Sequence, residues 1–140
     1  MPTAALISWI VTAGGGSVLL GAWLVRGGLR QRHTGRTRFS MTVLISHAGL
    51  AVIGLVVWIL SILTATDGLR WLALALLPIV AAIGVSMFVV WLGGRGAHAG
   101  LHEIDPPAEQ HFPVTVVVAH GAFAAFTVGL VALAAFGVGS

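Results

Sequence analysis

The stretch VLISHAGLAVIGLVVWIL, residues 43–60, decides the fold, because it is a long apolar run with a single histidine, His47, inside it. A similar run, VVVAHGAFAAFTVGLVAL, occupies residues 116–133 and has His120 in the matching place. A helix of about 20 apolar residues is long enough to cross the hydrocarbon core of a bilayer. Both runs are therefore predicted to be membrane-spanning helices that carry a histidine.

The composition of the whole chain indicates an integral membrane protein. Hydrophobic residues make up 58% and charged residues 8% of the chain, and the mean hydropathy is +1.04. Four spans without Asp, Glu, Arg or Lys are long enough to cross the bilayer: residues 3–25, 41–63, 71–92 and 113–137. We predict an all-α fold, in which residues 1–140 form a single transmembrane domain, an up-down-up-down bundle of four helices.

The arginines predict how the chain is oriented. All seven basic residues are Arg, and five of them crowd the first connection, residues 26–38. Arg95 begins the third connection, and Arg70 lies in the second. The positive-inside bias then places the first and third connections in the cytoplasm and both termini outside, in the inner or plasma membrane. We interpret the Arg run as a topology signal that meets anionic lipid, and we expect no nucleic-acid partner.

The absence of cysteine excludes several chemistries. The chain forms no disulfide, holds no iron–sulfur cluster or zinc ion on thiolates, and attaches no haem covalently through CxxCH. It also has no phosphate-binding glycine loop, nucleophile elbow or HExxH motif.

The two intramembrane histidines are the main candidate site. Spans two and four run in the same direction, and each histidine comes seven or eight residues into its span, roughly 10 to 12 Å along the helix. An offset of 73 residues aligns His47 with His120 and Ala51 with Ala124. Helices two and four occupy diagonal corners of such a bundle, so both imidazoles can point at its centre. This geometry predicts two axial ligands to the iron of one haem b, held without a covalent tether.

Further residues are assigned to the same predicted site. Gly15 and Gly16 in span one and Gly84 in span three would leave room for the haem edges, although ordinary small-residue helix packing explains such glycines equally well. Arg36 and Arg38, near the cytoplasmic mouth, could pair with the propionates. Filled axial positions favour electron transfer over oxygen chemistry.

Other interpretations of the histidine pair stay open. A neutral histidine can hydrogen-bond across helices, which would make the protein a non-catalytic accessory subunit or a homo-oligomer. A proton or quinone role is a further alternative. Met87 lies near the same level and could replace one histidine as a ligand, but packing explains it better.

The third connection, residues 94–113, contains a second candidate site. His98 and His102 stand four residues apart, and Glu103 and His111 are within reach, so nitrogen and oxygen ligands for a divalent metal are available. Metal binding or transport through this loop is the third functional hypothesis. The competing interpretation is a polar loop at the lipid surface, with its acidic residues facing the Arg-rich first loop.

Two segments carry a resemblance to known proteins. SHAGLAVIGLVVWI, residues 46–59, and AEQHFPVTVVVAHGAFA, residues 108–124, resemble small multi-pass membrane proteins of actinobacteria that have no assigned activity. More distantly, histidines facing each other across four helices are similar to the cores of membrane b-type cytochromes. That likeness implies a haem role for His47 and His120 and electron exchange with a respiratory or redox partner, or a quinone. It implies an electron carrier or accessory subunit more than a stand-alone enzyme.

Overall fold

A computed structural model describes residues 1–97 and 106–138, and these residues form helices and turns without a strand. The helices are α1 (Pro2–Val25), α2 (Gly28–His33), α3 (Met41–Thr64), α4 (Asp67–Ala97) and α5 (Val114–Ala135), with a 3-10 turn at Ala108–His111 before α5. Four of them, α1, α3, α4 and α5, are long and apolar enough to cross a membrane. The prediction of an all-helical protein with four such helices is confirmed.

Prolines and left-handed residues mark several helix boundaries. Pro2 lies in the first turn of α1, where its missing N–H costs no intrahelical bond. Gly27, with φ +80°, separates α1 from α2, and Ala65, with φ +50°, ends α3. Pro113 immediately precedes α5. The chain therefore turns at residues whose backbone conformation stops a helix.

Helix α4 extends beyond the apolar span that the sequence defines. It begins at Asp67, whose carboxylate accepts a 2.9 Å hydrogen bond from Arg70, and it continues to Ala97. An acidic residue in the first turn suits the positive end of the helix dipole. Pro78 lies inside α4 and cannot donate to the carbonyl four residues earlier, yet the helix runs through it.

The four long helices pack in a ring. Helix α1 contacts α3 and α5, and α4 contacts the same two helices. The helices that carry the histidines, α3 and α5, therefore lie across the bundle from each other. This packing order is the one expected for the candidate site.

The bundle consists of two halves that correspond position by position: the pair α1–α3 and the pair α4–α5. An offset of 68 residues relates α1 to α4, and the offset of 73 residues relates α3 to α5. Corresponding positions are buried together: Ala5 and Ala73, Trp9 and Leu77, Trp23 and Trp91, Leu44 and Val117, Trp58 and Val131, Ser61 and Ala134. Phe39 also packs against its own counterpart, Phe112, with ring centroids 6.1 Å apart. Such reciprocal contacts are typical of a two-fold relationship.

Two apolar clusters fill the bundle, one towards each end. The first contains Ala5, Trp9, Trp58, Ala73, Leu77, Leu130, Val131 and Ala134. The second contains Trp23, Phe39, Leu44, Trp91, Ala108, Phe112 and Val117. The two histidines lie at a level of the bundle between these two clusters. Each cluster contains two tryptophans, so a tryptophan-rich layer lies on either side of the histidines.

A buried carboxylate fixes the connections at the end of the bundle that holds the second cluster. Glu109, in the 3-10 turn, is completely buried. Its Oε1 accepts a 2.7 Å hydrogen bond from the Arg38 backbone N–H, and its Oε2 accepts a 2.8 Å bond from the Thr37 hydroxyl. Gln31 of α2 accepts a 2.7 Å bond from the Ala108 backbone N–H. The first connection and the 3-10 turn therefore form one hydrogen-bonded layer.

Candidate functional site

The imidazoles of His47 and His120 meet inside the bundle. Their ring centroids lie 6.3 Å apart, and their planes are inclined by 72°. Both side chains are half-buried. The structure thus brings together the two histidines that the sequence singles out.

Each imidazole is held by a backbone carbonyl of a neighbouring helix. His47 Nδ1 lies 3.1 Å from the Val80 carbonyl oxygen on α4, and His120 Nδ1 lies 2.9 Å from the Thr12 carbonyl oxygen on α1. A carbonyl oxygen only accepts hydrogen bonds, so Nδ1 of each ring is the protonated nitrogen. In a neutral imidazole, Nε2 then keeps its lone pair and can bind a metal.

Glycines make these two contacts sterically accessible. Gly84 comes four residues after Val80, and Gly16 comes four residues after Thr12. A Cβ at Gly84 would lie 2.9 Å from His47 Cε1, and one at Gly16 would lie 3.1 Å from His120 Cε1. A helical side chain covers the turn before its own Cα, so glycine at this spacing uncovers the carbonyl oxygen.

The predicted glycines therefore lie at the level of the histidines, where they contact the imidazoles directly. Gly15 differs from the other two, since a Cβ there would meet the nearest atom, His120 Cβ, at 3.4 Å, an ordinary van der Waals distance. Clearance for a haem edge stays a prediction for all three glycines. For Gly16 and Gly84, the close approach of the imidazoles is a second reason for their small size.

A cluster of hydroxyl groups extends from the His120 contact. Thr127 Oγ1 lies 2.7 Å from Ser8 Oγ and 3.1 Å from Thr12 Oγ1, and it donates to the Phe123 carbonyl at 2.8 Å. Ser8 and Thr127 are almost fully buried. These bonds join α1 to α5, the first and last helices, which no short turn connects. The cluster stabilises the side of the bundle that holds His120.

The predicted propionate partners lie at the end of the bundle that holds the second apolar cluster. Arg36 and Arg38 are exposed. The Arg38 backbone N–H is bound by Glu109, and its Nη1 lies 3.7 Å from the position that a Cβ at Gly94 would take. Contact of either guanidinium with a propionate stays a prediction.

The predicted metal site in the third connection lies mostly outside the described residues. His98, His102 and Glu103 belong to the segment 98–105, and His111 is exposed at the end of the 3-10 turn. Within residues 1–97 and 106–138 no group of three or more His, Asp or Glu side chains could hold a metal ion. The alternative ligand Met87 packs against the second apolar cluster, which agrees with the packing interpretation.

Sequence reasoning missed the partners of the imidazoles. Every residue has a backbone carbonyl, so the accepting carbonyls cannot be recognised from residue type. The hydroxyls of Ser8, Thr12 and Thr127 belong to α1 and α5, which are far apart in the sequence. The spacing of a glycine four residues after each accepting carbonyl is the one signal that was present. Comparison of the chain with protein-family models, curated proteins and solved structures finds no match, so the site is interpreted from its own geometry.

Proposed function

We propose that the protein binds one haem b between His47 and His120 and transfers electrons for a respiratory or redox partner in the membrane. The observation that supports this proposal most is the 6.3 Å separation of the two ring centroids. An imidazole nitrogen lies about 2 Å from a bound metal, and about 1 Å more separates it from its ring centre, so ligands of one ion have centroids about 6 Å apart. The observed separation of the ring centroids is close to the value expected for two imidazoles on opposite sides of one ion.

The hydrogen bonds of the rings support the same proposal. A metal-ligating histidine almost always donates its second ring N–H to a carboxylate, a backbone carbonyl or water, which fixes the tautomer and raises the basicity of the ligating nitrogen. His47 and His120 both make this bond, to Val80 and Thr12. Hydrogen bonds to Nε2 of either ring are absent among the described residues, so both nitrogens are available as ligands.

When bound, the haem would supply a one-electron couple between two oxidation states of its iron. The imidazoles of His47 and His120 would hold the iron, and ligation by two histidines would favour electron transfer over reaction with oxygen. The tryptophan-rich clusters above and below the histidines would keep water from the site and lower its polarity, which are two of the means by which a protein sets a reduction potential. This arrangement favours an electron carrier.

The proposal includes an orientation in the membrane. In an up-down-up-down bundle with both termini outside, the Arg-rich connection 26–38 faces the cytoplasm. The histidines then lie nearer the cytoplasmic leaflet, in the part of the membrane that cytoplasmic electron donors reach. The concentration of arginine in this connection supports that orientation.

A second candidate function is supported by the same two hydrogen bonds. Each histidine bonds a different helix, His47 joining α3 to α4 and His120 joining α5 to α1. Interhelical bonds of this kind contribute about 0.6 kcal/mol on average in a membrane protein. In this alternative, the protein is a non-catalytic accessory subunit or a homo-oligomer, and the histidines only hold its helices together.

Titration of haemin into the purified, haem-free protein in mild detergent tests the proposal. We expect saturation at about one haem per chain with a sharp low-spin spectrum, and loss of that spectrum in His47→Ala and in His120→Ala. His33→Ala and His111→Ala are matched controls, since both histidines are exposed outside the four long helices. Equal haem binding by all four variants, or none by the wild-type protein, would favour the accessory-subunit alternative.

A further inference from the structure

A cleft opens beside His120 between α1 and α5. Its volume is about 340 Å³, and its lining consists of Val11, Gly15, Thr115, Val116, Ala119, His120 and Phe123. Val11 and Phe123 are 45% and 41% exposed, on the outer surface of two membrane-spanning helices. The cleft therefore opens sideways towards lipid, and a ligand would enter it from the bilayer.

The internal repeat shows why the cleft is on this side of the bundle. The offset of 68 residues that relates Gly16 to Gly84 relates Gly15 to Ile83. Ile83 is half-buried, and it carries a branched side chain where its counterpart Gly15 carries none. Packing does not require the glycine, because a Cβ at residue 15 would meet its nearest neighbour, His120 Cβ, at 3.4 Å. The absence of a side chain at Gly15 is what keeps the cleft open.

The lining indicates the chemistry of the ligand. Thr115, in the first turn of α5, provides a hydroxyl at the end of the cleft nearest the membrane surface. Phe123 lies eight residues further along α5, about 12 Å deeper at 1.5 Å per residue. Apolar side chains with His120 form the wall between them. The cleft thus suits a flat ring with a hydrogen-bonding oxygen near the surface and an apolar tail in lipid.

From these observations we infer that the cleft between α1 and α5 binds the ring of a lipid-soluble quinone. The choice of a quinone over another ring-bearing lipid rests on the proposed electron-transfer function, because a ligand in this cleft touches the imidazole that would hold the haem iron. Thr115 would donate its hydroxyl proton in a hydrogen bond to a quinone carbonyl oxygen. Phe123 would pack against the quinone ring.

Saturable binding of a short-chain benzoquinone to the protein in phosphatidylcholine nanodiscs tests the inference. We expect about one site per chain and an affinity at least about tenfold lower in Gly15→Ile, which introduces the side chain of the equivalent position. Ala119→Leu narrows the cleft from the α5 side and should have the same effect, so the test holds if one variant fails to fold. Gly14→Ala is the matched control, with an expected affinity equal to that of the wild type, because Gly14 does not line the cleft and a Cβ there meets no atom within 4 Å.

Quinone binding is measured on both haem-free and haem-loaded protein. A failure of the quinone site can therefore be distinguished from a failure of haem binding. Saturable quinone binding that Gly15→Ile or Ala119→Leu abolishes supports the cleft even if haemin does not bind. Uptake that never saturates, or that phosphatidylcholine discs without protein reproduce, would overturn the quinone site. Wild-type affinity in both cleft variants would overturn it as well.

Discussion

His47 and His120 lie with their ring centroids 6.3 Å apart, and each is tied to a helix of the other half of the bundle. His47 belongs to the pair α1–α3 and bonds α4, whereas His120 belongs to the pair α4–α5 and bonds α1. The same two residues therefore contribute both to the geometry of the candidate site and to the contacts between the two halves. Tests of the site therefore need a readout of folding beside a readout of binding.

The glycines beneath the imidazoles provide such a test. In Gly84→Ala, the added Cβ would lie 2.9 Å from His47 Cε1 and push the ring away from the Val80 carbonyl. We expect the free energy of unfolding to fall by about 1–3 kcal/mol, the usual cost of overpacking. Thermal unfolding in detergent measures it. Gly14→Ala is the control, because a Cβ there meets no atom within 4 Å, and unchanged stability in both variants would contradict the contact.

The hydroxyl cluster between α1 and α5 predicts a smaller effect. Thr127→Val keeps the volume of the side chain but removes the hydroxyl that accepts a hydrogen bond from Ser8 on α1. The expected loss of stability is about 0.6 kcal/mol, with an upper bound of about 1.7 kcal/mol, as for other hydrogen bonds between membrane helices. Ser17→Ala should leave stability nearly unchanged, since the exposed Ser17 hydroxyl bonds a carbonyl of its own helix. A larger loss in Ser17→Ala than in Thr127→Val would contradict this assignment.

The buried carboxylate predicts how the first connection is held. The Glu109 carboxylate accepts hydrogen bonds from the Thr37 hydroxyl and the Arg38 backbone N–H. In Glu109→Gln, the amide NH₂ replaces one of the two accepting oxygens, so one of these donors loses its acceptor. An unsatisfied buried group costs about 1–3 kcal/mol, so the connection should loosen locally. Limited trypsin digestion, which cleaves after Arg36 and Arg38, should then become faster. The neighbouring exposed residue provides the control: His111→Ala should be cleaved at the wild-type rate, and an equal acceleration in both variants would contradict the role of Glu109.

The sequence predicts most of the fold because hydrophobic length is a strong signal in a membrane protein. The four apolar runs correspond to α1, α3, α4 and α5. The short helix α2 was not predicted. The sequence did indicate that acidic residues of the third connection face the first connection, but the hydrogen bonds of Gln31 and Thr37 to a turn more than 70 residues away were not predicted. Likewise, the extension of α4 to Asp67 and Ala97 adds polar ends that hydropathy does not detect.

For the site, the sequence predicts which residues meet but not what holds them. The offset of 73 residues identifies His47 and His120 as counterparts, and helical rise places them at one level. The correspondence of α1 with α4 is visible mainly in burial, through pairs such as Trp23 and Trp91. The accepting carbonyls of Thr12 and Val80 are backbone groups, which every residue carries, so only the structure identifies them.

The visible spectrum of the protein purified from haem-replete cells, oxidised and then reduced with dithionite, tests the haem proposal most directly. We predict a sharp low-spin b-type spectrum at about one haem per chain, absent from both His47→Ala and His120→Ala when these variants are folded. A well-folded but colourless wild-type protein would contradict the proposal and leave the histidines with the task of joining helices.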